Sequence, residues 1–172
     1  FAQQAPEKKD VTIAVGGKSL YYYLPLSIAE QLGYFKDEGL NVKIVDFQGG
    51  SRSLQAVVGG SADVVSGAFE HTISMQAKKQ HMTAFVLQGR APQLALVVSN
   101  KTMKDYKQLS DLKGKKVGVT APGSSSQMVA NFILKKGGLG PKDVAFIGVG
   151  SSSGAVSAIR SGQIDALINL DP

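Results

Sequence analysis

Apolar residues in this chain come in short blocks that alternate between two periods. The run Val11-Thr12-Ile13-Ala14-Val15 has the length and β-branching of a buried strand, and Gly16-Gly17 ends it. Pro25-Leu26-Ser27-Ile28-Ala29-Glu30-Gln31-Leu32-Gly33 instead places apolar residues at 26, 29 and 32, with proline in the first turn and glycine at the end. That spacing predicts a helix. After Gly39-Leu40, residues 42–47 alternate like a strand and a second helix is expected from Ser51. Residues 63–67 give a third strand, and 70–79 a third helix with Ile73 and Ala77 turned inward. Ala84-Phe85-Val86-Leu87 reads as a fourth strand and residues 94–99 as another. Beyond the solvated stretch 100–111 come a strand at 116–119, a small-residue loop at 122–126, a helix through Lys135 and a strand at 144–147.

The two halves of this plan are copies of one another. The segment Gly49 to Val65 lies on Ser151 to Leu167 without a gap: a Gly/Ser loop, a helix, a Gly-x-x-Asp turn (Gly60 to Asp63, Gly162 to Asp165) and a short buried strand. Strand, helix, strand, helix, strand occurring twice predicts an α/β fold of two similar lobes with mainly parallel sheets. Residues 1–10 read as a flexible neck, 11–92 as the first lobe and 93–172 as the second. Ligands in such sheets sit at the carboxyl ends of the strands, so two lobes that each present a helix N-terminus suggest a cleft closing on a small molecule.

Composition narrows the classes. With 172 residues, 43% hydrophobic and 19% charged, the chain can bury a substantial core. Its apolar runs fall far short of the roughly 20 residues that span a bilayer, so no membrane helix is expected. The absence of cysteine excludes disulfides, thiolate metal sites and a cysteine nucleophile. The net charge of +6 is spread over lysine pairs such as Lys78-Lys79 and Lys115-Lys116. With arginine only at 52, 90 and 160, these are solvated faces and no nucleic-acid partner is expected. The polar start, Phe1 to Asp10, reads as the neck of a mature exported protein, with Phe1-Ala2 the remnant of a cleavage site; an artificial start would read the same.

Candidate chemistry gathers where strands hand over to helices. Gly16-Gly17, Gly49-Gly50-Ser51, Gly123-Ser124-Ser125-Ser126 and Gly150-Ser151-Ser152-Ser153 can each offer backbone N–H groups to an oxyanion or carbonyl, or can simply cap their helices. The ligand-binding candidates are Gly17, Gly50, Ser51, Gly67, Ser124, Ser125 and Ser126 from the loops, with Tyr21 and Tyr22 as pocket walls. Phe69 and Glu70 join them at the third helix, where Glu70 is either a plain first-turn carboxylate or a partner for a donor-bearing ligand. Arg90 suits a carboxylate or sulfonate. Asn169 and Asp171 stand in the second copy where Gly67 and Phe69 stand in the first.

Catalytic motifs are weak. Gly150-Ser151-Ser152-Ser153-Gly154 matches a nucleophile elbow, but His71 and His81 both precede it and none follows. Gly148 to Gly154 misses the sixth position of a dinucleotide fingerprint, and no cluster has metal-ligand spacing. No catalytic residue, metal or cofactor is expected, and His81 is expected to be exposed.

Four segments carry a resemblance: Pro25 to Leu40, Gly60-Ser61-Ala62-Asp63-Val64, Asp111-Leu112-Lys113-Gly114-Lys115-Lys116-Val117-Gly118-Val119 and Gly162-Gln163-Ile164-Asp165-Ala166. In them the chain resembles periplasmic solute-binding proteins of ABC importers in the nitrate, sulfonate, taurine and thiamine-pyrimidine-precursor group. The resemblance implies a type II binding-protein fold whose lobes close over a small polar solute, a monomer that delivers it to an inner-membrane permease, and no covalent chemistry. It places Gly50-Ser51, Ser66 to Glu70, Arg90, Ser124 to Ser126 and Asn169 around the ligand. Such proteins are longer, so the second lobe is expected to be incomplete at its C-terminal end. A sulfonate or related anion or zwitterion is the expected cargo. The alternative is a pyrimidine-precursor binder or synthase on the same fold; the effector lobe of a transcription regulator is a third reading, with no helix-turn-helix before Val11.

Overall fold

A computed structural model describes residues 6–91 and 93–170, so the Phe1-Ala2 start and the candidate Asp171 lie outside the described residues. The first lobe carries strands β1 (Asp10–Val15), β2 (Asn41–Asp46) and β3 (Val64–Ser66), all parallel, in the order β2-β1-β3. Its helices are α1 (Leu24–Gln31), α2 (Tyr34–Asp37), α3 (Gly50–Val58) and α4 (Glu70–Gln76). The second lobe has β4 (Leu94–Val98), β5 (Lys116–Val119), β6 (Ala145–Gly148) and β7 (Ala166–Leu170), with helices α5 (Ser125–Lys136) and α6 (Ser153–Ser161). Its order is β4-β7-β5-β6, and only β4 runs antiparallel to its neighbour.

Each sheet is sealed by its own core. Ile13, Val15, Tyr23 and Leu26 pack in the first lobe; Leu112, Val117, Val119, Ala130, Leu134 and Ile168 pack in the second. Fully burying a side chain such as Leu134 contributes about 1.5–3 kcal/mol, so these clusters supply the main driving force for the two sheets. Proline in the first turn of α1 fits where an amide lacks a helical partner.

The repeated Gly-x-x-Asp turn has one physical job in both lobes. Asp63 accepts a hydrogen bond from the Thr12 amide at 2.9 Å and returns its own amide to the Thr12 carbonyl at 2.9 Å. Asp165 does the same with Lys116, at 2.9 and 2.8 Å. The preceding Gly60 and Gly162 both adopt the left-handed conformation, φ 75° and 82°, that turns the chain from helix back to sheet. The turn therefore fixes the register of β3 on β1 and of β7 on β5.

Three expectations are corrected. Leu32 is exposed instead of closing the apolar stripe of α1, because α1 ends at Gln31. On α4 the inward residues are His71 and Met75, one helical turn apart, while Ile73 and Ala77 face outward. Residues 84–87 form no strand, and Phe85, Val86 and Leu87 are exposed. A strand exists only by pairing, and among the described residues no strand lies on the edge of β3 away from β1. A groove of about 490 Å3 occupies that edge, lined by Val64, Val65, Met82 and Phe85 among others.

Candidate functional site

The carboxyl ends of both sheets turn toward one another. After β1, Gly16 lies so close to the loop before α3 that a side-chain carbon there would stand 2.3 Å from the Gly49 carbonyl carbon, which requires glycine. Asp46, at the end of β2, accepts the amides of Gly17 and Lys18 at 2.8 and 2.9 Å and so fixes the loop that follows β1. Across the cleft, the Ser51 hydroxyl donates to the Pro122 carbonyl at 2.9 Å. A cavity of about 270 Å3 lies between the lobes, walled by Gly17, Asp46 and Gln48 on one side and Gly150, Ser151 and Ser152 on the other.

α3 begins without a side-chain cap. Arg52 and Ser53 donate to the Gly49 carbonyl, while the amides of Gly50 and Ser51 have no acceptor among the described residues. These two donors stay unpaired at the positive end of the helix dipole. α5 is built differently. The hydroxyls of Thr120, Ser124 and Ser126 bond one another at 2.8–2.9 Å, and Ser126 accepts the Thr120 amide at 3.0 Å. Ser124 and Ser126 are buried in that network, and Ser125 is half-buried beside it.

A second polar group lies beside the first turn of α3. Tyr22 and Tyr23 meet edge to face with ring centres 5.0 Å apart. Burial raises both hydroxyls above the usual tyrosine range and the nearby Glu70 carboxylate adds to it, so both remain protonated donors. Glu70 Oε1 and His71 Nε2 are buried without a hydrogen-bond partner. Burial also lowers the His71 imidazole below its ordinary value, with Glu70 opposing. Ser66 donates to Gln88 at 3.0 Å, and Gly89 packs on the Tyr22 ring.

The structure thus brings Gly17 and Ser51 to the cleft and groups Tyr22, Glu70 and Gly67 around His71, which abuts Gly50 at the start of α3. Tyr21, Phe69 and Arg90 are exposed, and Arg90 makes no ion pair among the described residues. Asn169, half-buried in β7, reaches the Ser151 carbonyl at 3.5 Å and holds the Leu170 amide with its own oxygen. Sequence reasoning left Asp46, Gln48 and His71 out of the ligand-binding candidates. Asp46 was hidden as the last residue of an alternating strand, and a histidine on an apolar face carries no hydrophobic signal. His81 is exposed.

Among described residues no group of three His, Asp or Glu side chains could hold a metal ion, and no helix is long and apolar enough to cross a membrane. A solved structure from Bordetella bronchiseptica RB50 is 67% identical, with a TM-score of 0.94 over 96% of this chain and 52% of that one. The alkanesulfonate-binding protein SsuA from Xanthomonas axonopodis pv. citri, bound to MOPS, is 22% identical with a TM-score of 0.69, over 98% of this chain and 56% of that one. The 4-amino-5-hydroxymethyl-2-methylpyrimidine phosphate synthase of Schizosaccharomyces pombe is 26% identical over 162 residues, 94% of this chain and 45% of that protein. The chain spans about half the length of these relatives, and its α/β lobes have the periplasmic binding protein fold. Since the NMT1/THI5 like family model matches residues 21–171, nearly the whole described chain, this protein belongs to that family.

Proposed function

We propose that this chain is the ligand-capturing part of a periplasmic solute-binding protein that hands a small polar organic solute to an ABC permease, and that it is not an enzyme. The observation that carries the reading is the uncapped start of α3 facing the second lobe across the cleft, with free amides at Gly50 and Ser51. Lobes 11–92 and 93–172 would act as the two jaws. A sulfonate or related anion or zwitterion fits those amides, and the fold shared with a protein bound to MOPS, which carries both a sulfonate and an amine, supports that class.

A second reading, binding or synthesis of a pyrimidine precursor, is favoured by buried Glu70 Oε1, which lacks a donor, and by the likeness to the pyrimidine phosphate synthase. A thermal-shift panel on the full-length protein separates them: alkanesulfonates, taurine, nitrate, aminopyrimidines and small carboxylates. A ligand at a thousand times its Kd adds about 4 kcal/mol of stability. A rise with sulfonates supports the first reading, and a rise with aminopyrimidines the second. With the responsive solute, Glu70→Ala and Arg90→Ala are each expected to weaken binding about tenfold or more, the cost of a charged hydrogen bond; unchanged affinity in both removes these residues from the pocket. Turnover of the bound solute on prolonged incubation would establish an enzyme instead.

A further inference from the structure

The first turn of α3 and the buried His71 form one device. α3 is a nine-residue helix whose N-cap, Gly49, supplies no side chain. His71 comes from a different element, the first turn of α4, and is 5% exposed. Its Nε2 has no hydrogen-bond partner and points at α3: a side-chain carbon at Gly50 would stand 3.0 Å from it. An imidazole nitrogen buried without a partner destabilises the fold, a cost that an incoming group can relieve. With no side chain at Gly50, that nitrogen lies buried directly against the backbone of the first turn of α3.

We propose that His71 Nε2–H and the amides of Gly50 and Ser51 form a receptor for an oxyanion headgroup of the solute, with His71 the residue that makes the site discriminate among anions. This rests on the solute-binding reading. Two amides of an open helix end attract any small anion, but a single fixed N–H beneath them selects one whose oxygens project in more than one direction. A sulfonate, a phosphate and a carboxylate all meet the amides; they differ in whether an oxygen remains for Nε2. Glu70, next in sequence and close enough for its charge to act on the imidazole, disfavours a second negative charge there.

The chain has two histidines, and exposed His81 provides an internal control. Full-length protein labelled with 15N at histidine is titrated with methanesulfonate, acetate and inorganic phosphate in turn, while ring-nitrogen and backbone amide shifts are followed. The expected result is a saturable shift of His71 Nε2, in its protonated tautomer, together with the Gly50 and Ser51 amides; His81 stays fixed. The three anions should differ in the His71 response. His71→Gln, which keeps a donor, should hold affinity for the best of them within about threefold, whereas His71→Leu should lose about 10- to 100-fold, the value of a hydrogen bond to a charged group. Binding that moves amides elsewhere and leaves His71 still overturns this assignment while the solute-binding reading stands. No binding of any of the three overturns the headgroup receptor, and if the wider solute panel is also flat, the parent reading falls with it.

Discussion

At the scale of single residues, His71 couples the site to stability. Burial strips its imidazole of hydration and lowers its affinity for protons, and Glu70 opposes this only in part. The unfolded chain, with a histidine value of about 6.5, takes up a proton that the folded chain refuses. In that window the unfolded state binds more protons, so stability rises with pH up to about 6.5 and is lost as pH falls below it. Urea unfolding is expected to give a lower midpoint at about pH 5.5 than at about pH 7.5, and His71→Gln to remove most of the difference. An unchanged difference in the variant would assign the effect to other groups. The same residue explains an error of sequence reading: hydrophobic spacing selected Ile73 and Ala77 because a histidine counts as polar, whereas burial follows packing and selected His71 and Met75.

Among the elements, the duplication was legible and its meaning was not. Period-2 and period-3.6 spacing located six of the seven strands observed and the last of them followed from the repeat. The Gly-x-x-Asp turn was visible as a recurring motif, but only the structure shows it clamping the start of the neighbouring strand. For Asp165, burial raises the carboxyl, yet the Lys116 amide, the Thr102 hydroxyl and the Lys115 and Lys116 charges outweigh it and hold it below the usual range. A carboxyl lowered in this way stabilises the fold above its unfolded value, about 3.9, and loses that contribution as pH falls through its folded value. Asp165→Asn is therefore expected to lower the urea midpoint at neutral pH and to flatten its decline in acid; Asp63, in the same geometry, should respond in the same direction. Residues 84–87 misled because strand character in sequence states a preference, and pairing decides the outcome. The loop 123–126 was ambiguous for a related reason: serines in a row do not reveal that two of them will spend their hydroxyls on Thr120.

For the molecule as a whole, the two lobes are alike in plan and unlike at one edge. β7 is covered on both sides, by β5 and β4, while β3 has β1 on one side and, among described residues, a groove on the other. The exposed Phe85, Val86 and Leu87 lie along the segment beyond it. Unpaired backbone next to apolar side chains is a template for another strand. A polypeptide of these 172 residues is therefore expected to scatter more light per unit mass as it is concentrated, and Val65→Lys, a charge on the open edge, to suppress that rise. Scattering that stays proportional to concentration would show the edge to be inert. Folding within one chain proceeds at a rate independent of how many chains are present, whereas edge-to-edge capture grows with the square of their number. Dilution, more than temperature or denaturant, should then govern how much of this polypeptide is recovered as single molecules.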